Sequence, residues 1–349
     1  MSRSDTGAPA TLVRGRWAVR IPEYPLALTW TDRAGDRLAM ISAEGTLASI
    51  ETVDGDGLWR VQAHKGGACT VQASPDGSTL ASGGQDGYAR LWDADQGEQL
   101  AEIALKGWVE HAAWAPNGEW IAVAAGRVVT LCTKAGTVAA TWGDHPSTIS
   151  SLAWRPDSAQ LAVGHYGGVT LRAPVDERPI RRLERKGSIL SVAWHPHGRH
   201  LAAGCQDQAV QVWNMRKSDH LYMSGYNTKL TSIAWSQTGR YLATAGGPGA
   251  TIWDFSGKGP KGSRPLSVVG HEDLLTALAW APTESLIVTA DAAGGTNLSR
   301  ITDKIVRTFA RIDSTVAVSS VAWRPDGRGF VIAQEDGSVQ AYDRNAADA

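Results

Sequence analysis

The chain of 349 residues contains only three cysteines, Cys69, Cys132 and Cys205. They are odd in number, widely spaced and without a CxxC pair, which argues against a disulfide-built scaffold and fits a reducing compartment. No run approaches the roughly 18 apolar residues of a membrane-spanning helix, and the opening MSRSDTGAPATLVRGRW lacks the apolar stretch of a secretion signal. A cytoplasmic protein without membrane contact is expected. Net charge is nearly absent, since 34 Lys and Arg against 35 Asp and Glu leave −1. Such a balance gives no basic field for nucleic acid or an anionic surface. The common catalytic signatures GxxxxGK[ST], HExxH and GxSxG are missing too. Asn297-Leu298-Ser299 is formally a glycosylation sequon, without meaning in a cytoplasmic setting.

What the chain does have is a repeat. Anchored on Trp194 within SVAWHPHGRHLAAGCQDQAVQVWN, one column holds Trp30, Ala73, Trp114, Trp154, Trp194, Trp235, Trp280 and Trp323. The intervals run from 40 to 45 residues, the period of a propeller blade. Two residues before the anchor every copy is apolar, and one before it six of the eight have Ala, which suits an inner strand packed between neighbouring sheets. Pro follows two residues after the anchor in six copies, as at Pro75 and Pro196, with Gly at the fourth residue in five. Pro sets φ for a turn and Gly closes it, so each copy makes a hairpin. An apolar residue such as Leu80 or Leu201 then opens the second strand, and the third ends in an aromatic residue in Arg90-Leu91-Trp92-Asp93 and Gln340-Ala341-Tyr342-Asp343.

With these columns in hand, the sequence resembles a WD40-repeat β-propeller over nearly its whole length. The second copy matches best: His64, Ser82, Asp86 and Trp92 stand at the spacings of that family's hydrogen-bonded tetrad. The resemblance implies that they rigidify a blade. Elsewhere the tetrad is degenerate, with Arg185 where His is expected in copy five and Ala293 at the acidic position of copy seven. The expected fold is all-β: a single closed eight-bladed WD40-type β-propeller with four antiparallel strands, here lettered a to d, in each blade. RWAVRI at Arg16 to Ile21 alternates like a strand, whereas the last copy stops after its third strand, Ser338 to Asp343. The N-terminal strand is therefore expected to complete the last blade and remove two open edges. The implied organisation is a disordered tail at 1–14, the propeller at 15–343 and a short tail at 344–349.

Candidate functional residues follow from the repeat register. Entry loops from d to a, and turns from b to c, emerge on one face. Six residues before the anchor, Tyr24, Trp108 and Leu274 place large apolar groups there. Eleven after it stand His165 and Cys205, with Asp291 and Gln334 in the same column. This face, carrying Tyr24, Trp108, His165, Tyr166, Cys205, Tyr226 and Leu274, is the expected binding surface, because side chains from several blades converge there. His165 and Cys205 are borderline and soft ligands on one rim, so they are also a candidate Zn²⁺ pair. The opposite face, with His195, His197 and His200 on a turn, is expected to carry exposed, inert histidines. The loop SGKGPKGSRP at Ser256 to Pro265 reads as exposed and flexible.

Three function classes arise. A non-catalytic protein-interaction scaffold, monomeric and free of cofactors, accords best with a rigid disc bearing varied loops. A second reading rests on residues 162–171 and on Tyr222 to Trp253 with the following GKGPKG. These segments resemble stand-alone bacterial WD40 proteins encoded beside CobW-like metal-chaperone GTPases, which implies an accessory or metal-binding role in metal homeostasis; Arg172 departs from that pattern, where a Trp is expected. A third, an enzyme working at the central channel, would draw on Glu110 and His111, since the inner strands otherwise offer mostly Ala, Ser and Thr.

Overall fold

The second copy shows how the repeat becomes structure in this computed structural model, which describes residues 13–217, 219–303 and 305–344. Strands Ala68–Ala73, Thr79–Gly84, Tyr88–Asp93 and Gln99–Ala104 form one antiparallel sheet in that order. The first hairpin is set by its turn: Gly77 N–H donates to Ser74 O at 2.8 Å and Thr79 N–H to Ser74 Oγ at 3.1 Å. Gly77 has φ of 76°, and a Cβ there would lie 1.7 Å from the carbonyl oxygen of Thr31 in the preceding copy, so no other residue fits. The second strand, TLASGG, is buried along its whole length because neighbouring sheets cover both its faces.

The core is accordingly a ring of layers between sheets. Ala81 and Leu91 of copy two, for example, pack with Val109, Trp114 and Ile121 of copy three. The anchors fasten these layers. The indole N–H of Trp154 donates to Ala113 O at 2.9 Å, that of Trp194 to Ala153 O at 3.1 Å, and that of Trp235 to Ala193 O at 3.1 Å. Trp114, Trp280 and Trp323 do the same to Gln72, Ala234 and Ala279. Each acceptor directly precedes the previous copy's anchor. Five of these six acceptors are Ala, whose small side chain lets a large ring in the next copy reach the backbone.

The expectation of eight separate four-stranded blades is corrected by the hydrogen-bonded sheets, which number seven among the described residues: six of four strands and one of six. The six-stranded sheet carries copies four and five, in the order Ile149–Trp154, Leu161–Arg172, Arg181–Trp194, His200–Cys205, Ala209–Asn214 and His220–Ser224. Two unbroken strands are the cause. Leu161–Arg172 contains both the b and c segments of copy four, and Arg181–Trp194 contains strand d of copy four and strand a of copy five. The pairing of Tyr166 with Ser188 fuses the two where the other copies have separate loops. Leu161–Arg172 nonetheless folds back at the exposed Tyr166 and neighbouring Gly167. His165 Nε2 lies 2.8 Å from Thr170 Oγ1, whereas five residues of straight strand would span about 16 Å. Eight sequence copies therefore occupy seven sheets.

Val13–Arg20 forms the outer strand of the sheet that holds the last copy, antiparallel to Ser338–Arg344, with Ala18 opposite Gln340. Val13 pairs with Arg344, so the strands run slightly beyond the expected bounds of 15 and 343. Trp17 is buried and donates to Thr52 O of the first copy at 2.6 Å, so this strand bridges the two ends of the ring. The terminal segments 1–12 and 345–349 lie outside the described residues. No helix among the described residues is long and apolar enough to cross a membrane.

Candidate functional site: the entry-loop face

Nine residues before each anchor the chain turns from an outer strand toward the next inner strand. In five of the copies this residue latches the loop to its own sheet, whereas His145 of copy four bonds the Arg127 carbonyl of copy three at 3.1 Å. In copy two it is His64, whose Nδ1 is 2.9 Å from Asp86 Oδ1 and whose Nε2 is 2.8 Å from Ser82 Oγ. Ser82 Oγ accepts from Trp92 Nε1 at 2.8 Å. The ionised Asp86 can only accept, so the proton sits on Nδ1, and Nε2 of the neutral ring then accepts from the Ser82 hydroxyl. Burial raises the Asp86 carboxyl, but hydrogen bonds from Arg90 and His64 outweigh it and hold the group at about 2. Burial also lowers the His64 pKa, so the ring stays neutral.

Copy seven rebuilds this network by a shifted route. His271 Nδ1 is 2.8 Å from Asp291 Oδ2 and Nε2 is 2.8 Å from Thr289 Oγ1, with both His271 and Asp291 side chains fully buried. The acid missing at Ala293 is supplied two residues earlier, so Asp291 is an internal bonding partner. In copy five Arg185 replaces His and makes two 2.7 Å bonds to Asp207. Copy six uses Tyr226, whose hydroxyl lies 2.9 Å from Thr244 Oγ1 and accepts from Trp253 Nε1 at 2.7 Å. In copy eight Gln334 Nε2 donates to Ser314 Oγ at 2.7 Å. The chemistry of the latch varies while its position does not.

These contacts sort the candidate surface. Tyr226 is a half-buried latch. His165 is buried, with Nδ1 donating to Tyr166 O at 2.7 Å and Nε2 bonded to Thr170, so neither nitrogen is left for a ligand. Cys205 is fully buried, its thiol pushed up to about 11 by burial. No group of three or more metal-ligating side chains is found among the described residues. Tyr24 is half-buried, and burial together with the Glu335 carboxylate raises its phenol pKa. The outward residues are Trp108, 55% exposed, Tyr166, 56% exposed, and Leu274, 45% exposed. Trp108 and Tyr166 belong to consecutive copies and lie one residue beyond the pairs Val109 with Ala125 and Ile149 with His165. Beside Tyr166 a cavity of about 350 Å³ is lined by Pro146, Leu183 and Val169 together with Arg182, Arg185 and Lys186.

Two further expectations change. Of the turn histidines only His197 is exposed. His195 is buried edge-on to Trp235, with ring centroids 5.0 Å apart, and His200 lies against Trp235 and Phe255. Polar turns cover apolar strand ends, and flat rings fill that space. Arg172, standing where a Trp was expected, is fully buried over the Trp142 ring, donates to Glu177 O at 2.9 Å and is paired with Asp144.

A ring of antiparallel sheets stacked through their buried strands, with latched loops on one face, is a β-propeller. The WD domain, G-beta repeat, matches residues 55–93, 177–214 and 219–254, and the anaphase-promoting complex subunit 4 WD40 domain matches residues 278–349. The chain is a WD40-repeat β-propeller. It is 38% identical over 68 residues to the small ribosomal subunit protein RACK1 of Caenorhabditis elegans. That match takes in 20% of this chain and 21% of the relative, so the chain spans about a fifth of that protein. Among solved structures, the C-terminal WD40 domain of Sif2 superposes with a TM-score of 0.81 at 14% identity, over 96% of this chain and 99% of the other. The computationally designed Ika8 protein does so with a TM-score of 0.81 at 16% identity, over 94% and 99%. At such identities the likeness shows the fold alone. These matches support the repeat family and carry nothing for the narrower resemblance to proteins encoded beside CobW-like GTPases.

Proposed function

We propose that the protein is a non-catalytic interaction scaffold whose protein partner docks on the entry-loop face at copies three and four. The carrying observation is the exposure of two large aromatic rings, Trp108 and Tyr166, from consecutive copies on one face beside a cavity. Large aromatics bring much contact area at little entropic cost and are enriched in binding hot spots. Elsewhere on the face, latches at copies two, five, six, seven and eight hold the loops. Arg182, Arg185 and Lys186 edge the cavity beside Tyr166, and charged groups of this kind suit the rim of an interface.

The test is cross-linking of the partner-bound complex purified from the native host. Partner cross-links should fall on the entry-loop lysines Lys106, Lys186 and Lys229, and Trp108→Ala with Tyr166→Ala should abolish them. Cross-links confined to Lys217 and Lys258, on the opposite face, would place the interface on the wrong side of the disc.

A further inference from the structure

The face opposite the entry loops holds a cavity of about 400 Å³ between copies five and six, walled by the two loops that lead from strand c to strand d. Lys217 comes from the first loop and Lys258 and Lys261 from the second. All three are exposed, and none has a hydrogen bond or ion pair from its ammonium group among the described residues. Asp219 is the sole carboxylate in the lining, so three lysines face one anion, a net of +2 from these four side chains. Two basic groups elsewhere on this face are matched, Lys134 with Asp76 and Arg240 with Asp254 and Asp303. An unmatched cationic pocket in a chain of nearly neutral charge is a local arrangement rather than a reflection of composition.

The back of the cavity is apolar. Phe255 and His200 meet edge-on with centroids 5.5 Å apart, and Val212 and Leu221 line the wall. One ring nitrogen of His200, Nδ1, is buried without a hydrogen-bond partner. The second loop is set by two tight turns, in which Gly259 N–H donates to Ser256 O at 2.9 Å and Ser263 N–H to Pro260 O at 3.0 Å. Pro260 is buried between them, so the turns are tethered and Lys258 and Lys261 stand on either side of it. The amide groups of Lys258 and Lys261 have no backbone acceptor among the described residues and remain available as donors.

We propose that this cavity binds a phosphorylated small ligand, its phosphate groups held by Lys217, Lys258 and Lys261 and its organic part set against Phe255 and Val212. Three point charges with three donors each suit a multiply charged phosphate better than a single carboxylate, and the volume is that of a small-molecule site. The same chemistry is offered by a free phosphate ester and by a phosphorylated lipid headgroup. The site is independent of the partner face.

Inorganic pyrophosphate and phosphatidylcholine vesicles with and without phosphatidylinositol phosphate are the probes, measured by calorimetry and by vesicle sedimentation on the full chain. Binding to either probe should weaken as salt rises and fall by about tenfold or more in Lys258→Glu/Lys261→Glu, whereas Arg307→Glu, on an outer strand of copy seven, should leave it unchanged. Pyrophosphate binding alone assigns a free phosphate ester, and retention on the phosphoinositide vesicles alone assigns a headgroup. If the double variant loses its fold by circular dichroism, Lys217→Gln gives the same reading with a smaller loss. No binding to either probe, or an equal loss in Arg307→Glu, overturns the site.

Discussion

Trp154 reaches across the sheet boundary and donates its indole N–H to the carbonyl of Ala113 at 2.9 Å. The same bond recurs at five other anchors, but Trp30, in the copy that closes the ring, has its indole nitrogen buried without a partner. One residue type at one repeat position therefore exists in a bonded and an unbonded form within one molecule. Trp154→Phe removes a donor and leaves a buried carbonyl unsatisfied, for an expected cost of about 1 to 3 kcal/mol. Trp30→Phe removes a donor that already lacks an acceptor, so its hydrogen-bond cost is near zero. Urea denaturation of the two variants should show the larger loss for Trp154→Phe. Equal losses would mean that the rings matter only by packing.

The period, the hairpin turns and the closing strand were legible because each is written many times or in isolation. Eight aligned anchors average out local exceptions, and RWAVRI has no other sheet to join. The merging of copies four and five was not legible, because it depends on the single pairing of Tyr166 with Ser188, between residues that look like ordinary turn and loop positions. The latch column was visible in principle. Reading nine residues back from each anchor gives His64, His145, Arg185, Tyr226, His271 and Ser314, all polar, with Ile21 and Leu105 the exceptions. Its meaning was hidden because the partner slides. Asp86 stands thirteen residues after its anchor and Asp291 eleven, so a fixed-spacing search finds one and misses the other.

That sliding partner gives a stability prediction. Asp291 accepts from His271, and its other oxygen accepts from Gly295 N–H at 2.8 Å and Ala293 N–H at 3.0 Å, all in a buried site. Asp291→Ala should cost about 1 to 3 kcal/mol, since it orphans several buried donors at once. Adding Ala293→Asp should not restore stability, because the backbone amides turn toward position 291. Recovery of the parent denaturation midpoint by the double variant would show that the two positions are interchangeable.

Closure of the ring is open to a direct check. Deleting residues 1 to 21 removes the strand paired with Ser338–Arg344 and the buried Val13 and Trp17. An open backbone edge beside newly exposed apolar groups promotes pairing between molecules. The truncated protein should aggregate or elute as larger species on size exclusion, and a soluble protein of unchanged melting temperature would refute the closure.

On the partner face, Trp108→Ala and Tyr166→Ala should each weaken a docked protein by about 1 to 3 kcal/mol, the hot-spot range. His197→Ala, exposed on the other face, should change nothing. Because Trp108 and Tyr166 are more than half exposed in the free protein, neither truncation should move the melting temperature by much. That separates loss of binding from loss of fold.

Stability against acid tests the buried rings. His145 and His195 are both buried, and burial lowers each imidazole to about 4; for His195 the neighbouring His200 and His197 add to the effect. In the unfolded chain each titrates near the ordinary value of about 6.5. Between these two values the unfolded state binds protons that the folded state does not, so stability rises with pH in that window and is lost as pH falls through it. Below about 4 both states are protonated and these two residues add no further slope. The expected loss between pH 7 and pH 4 is on the order of 1 to 3 kcal/mol for each residue. His195 sits against Trp235, while His145 holds the Arg127 carbonyl through Nδ1 at 3.1 Å. His145→Gln keeps a donor for that carbonyl but cannot take up a proton. Its melting temperature should therefore fall less steeply with acid than that of the parent, whatever its value at pH 7. A parallel pair of curves would mean that His145 is protonated in the folded protein, and that the acid sensitivity lies elsewhere.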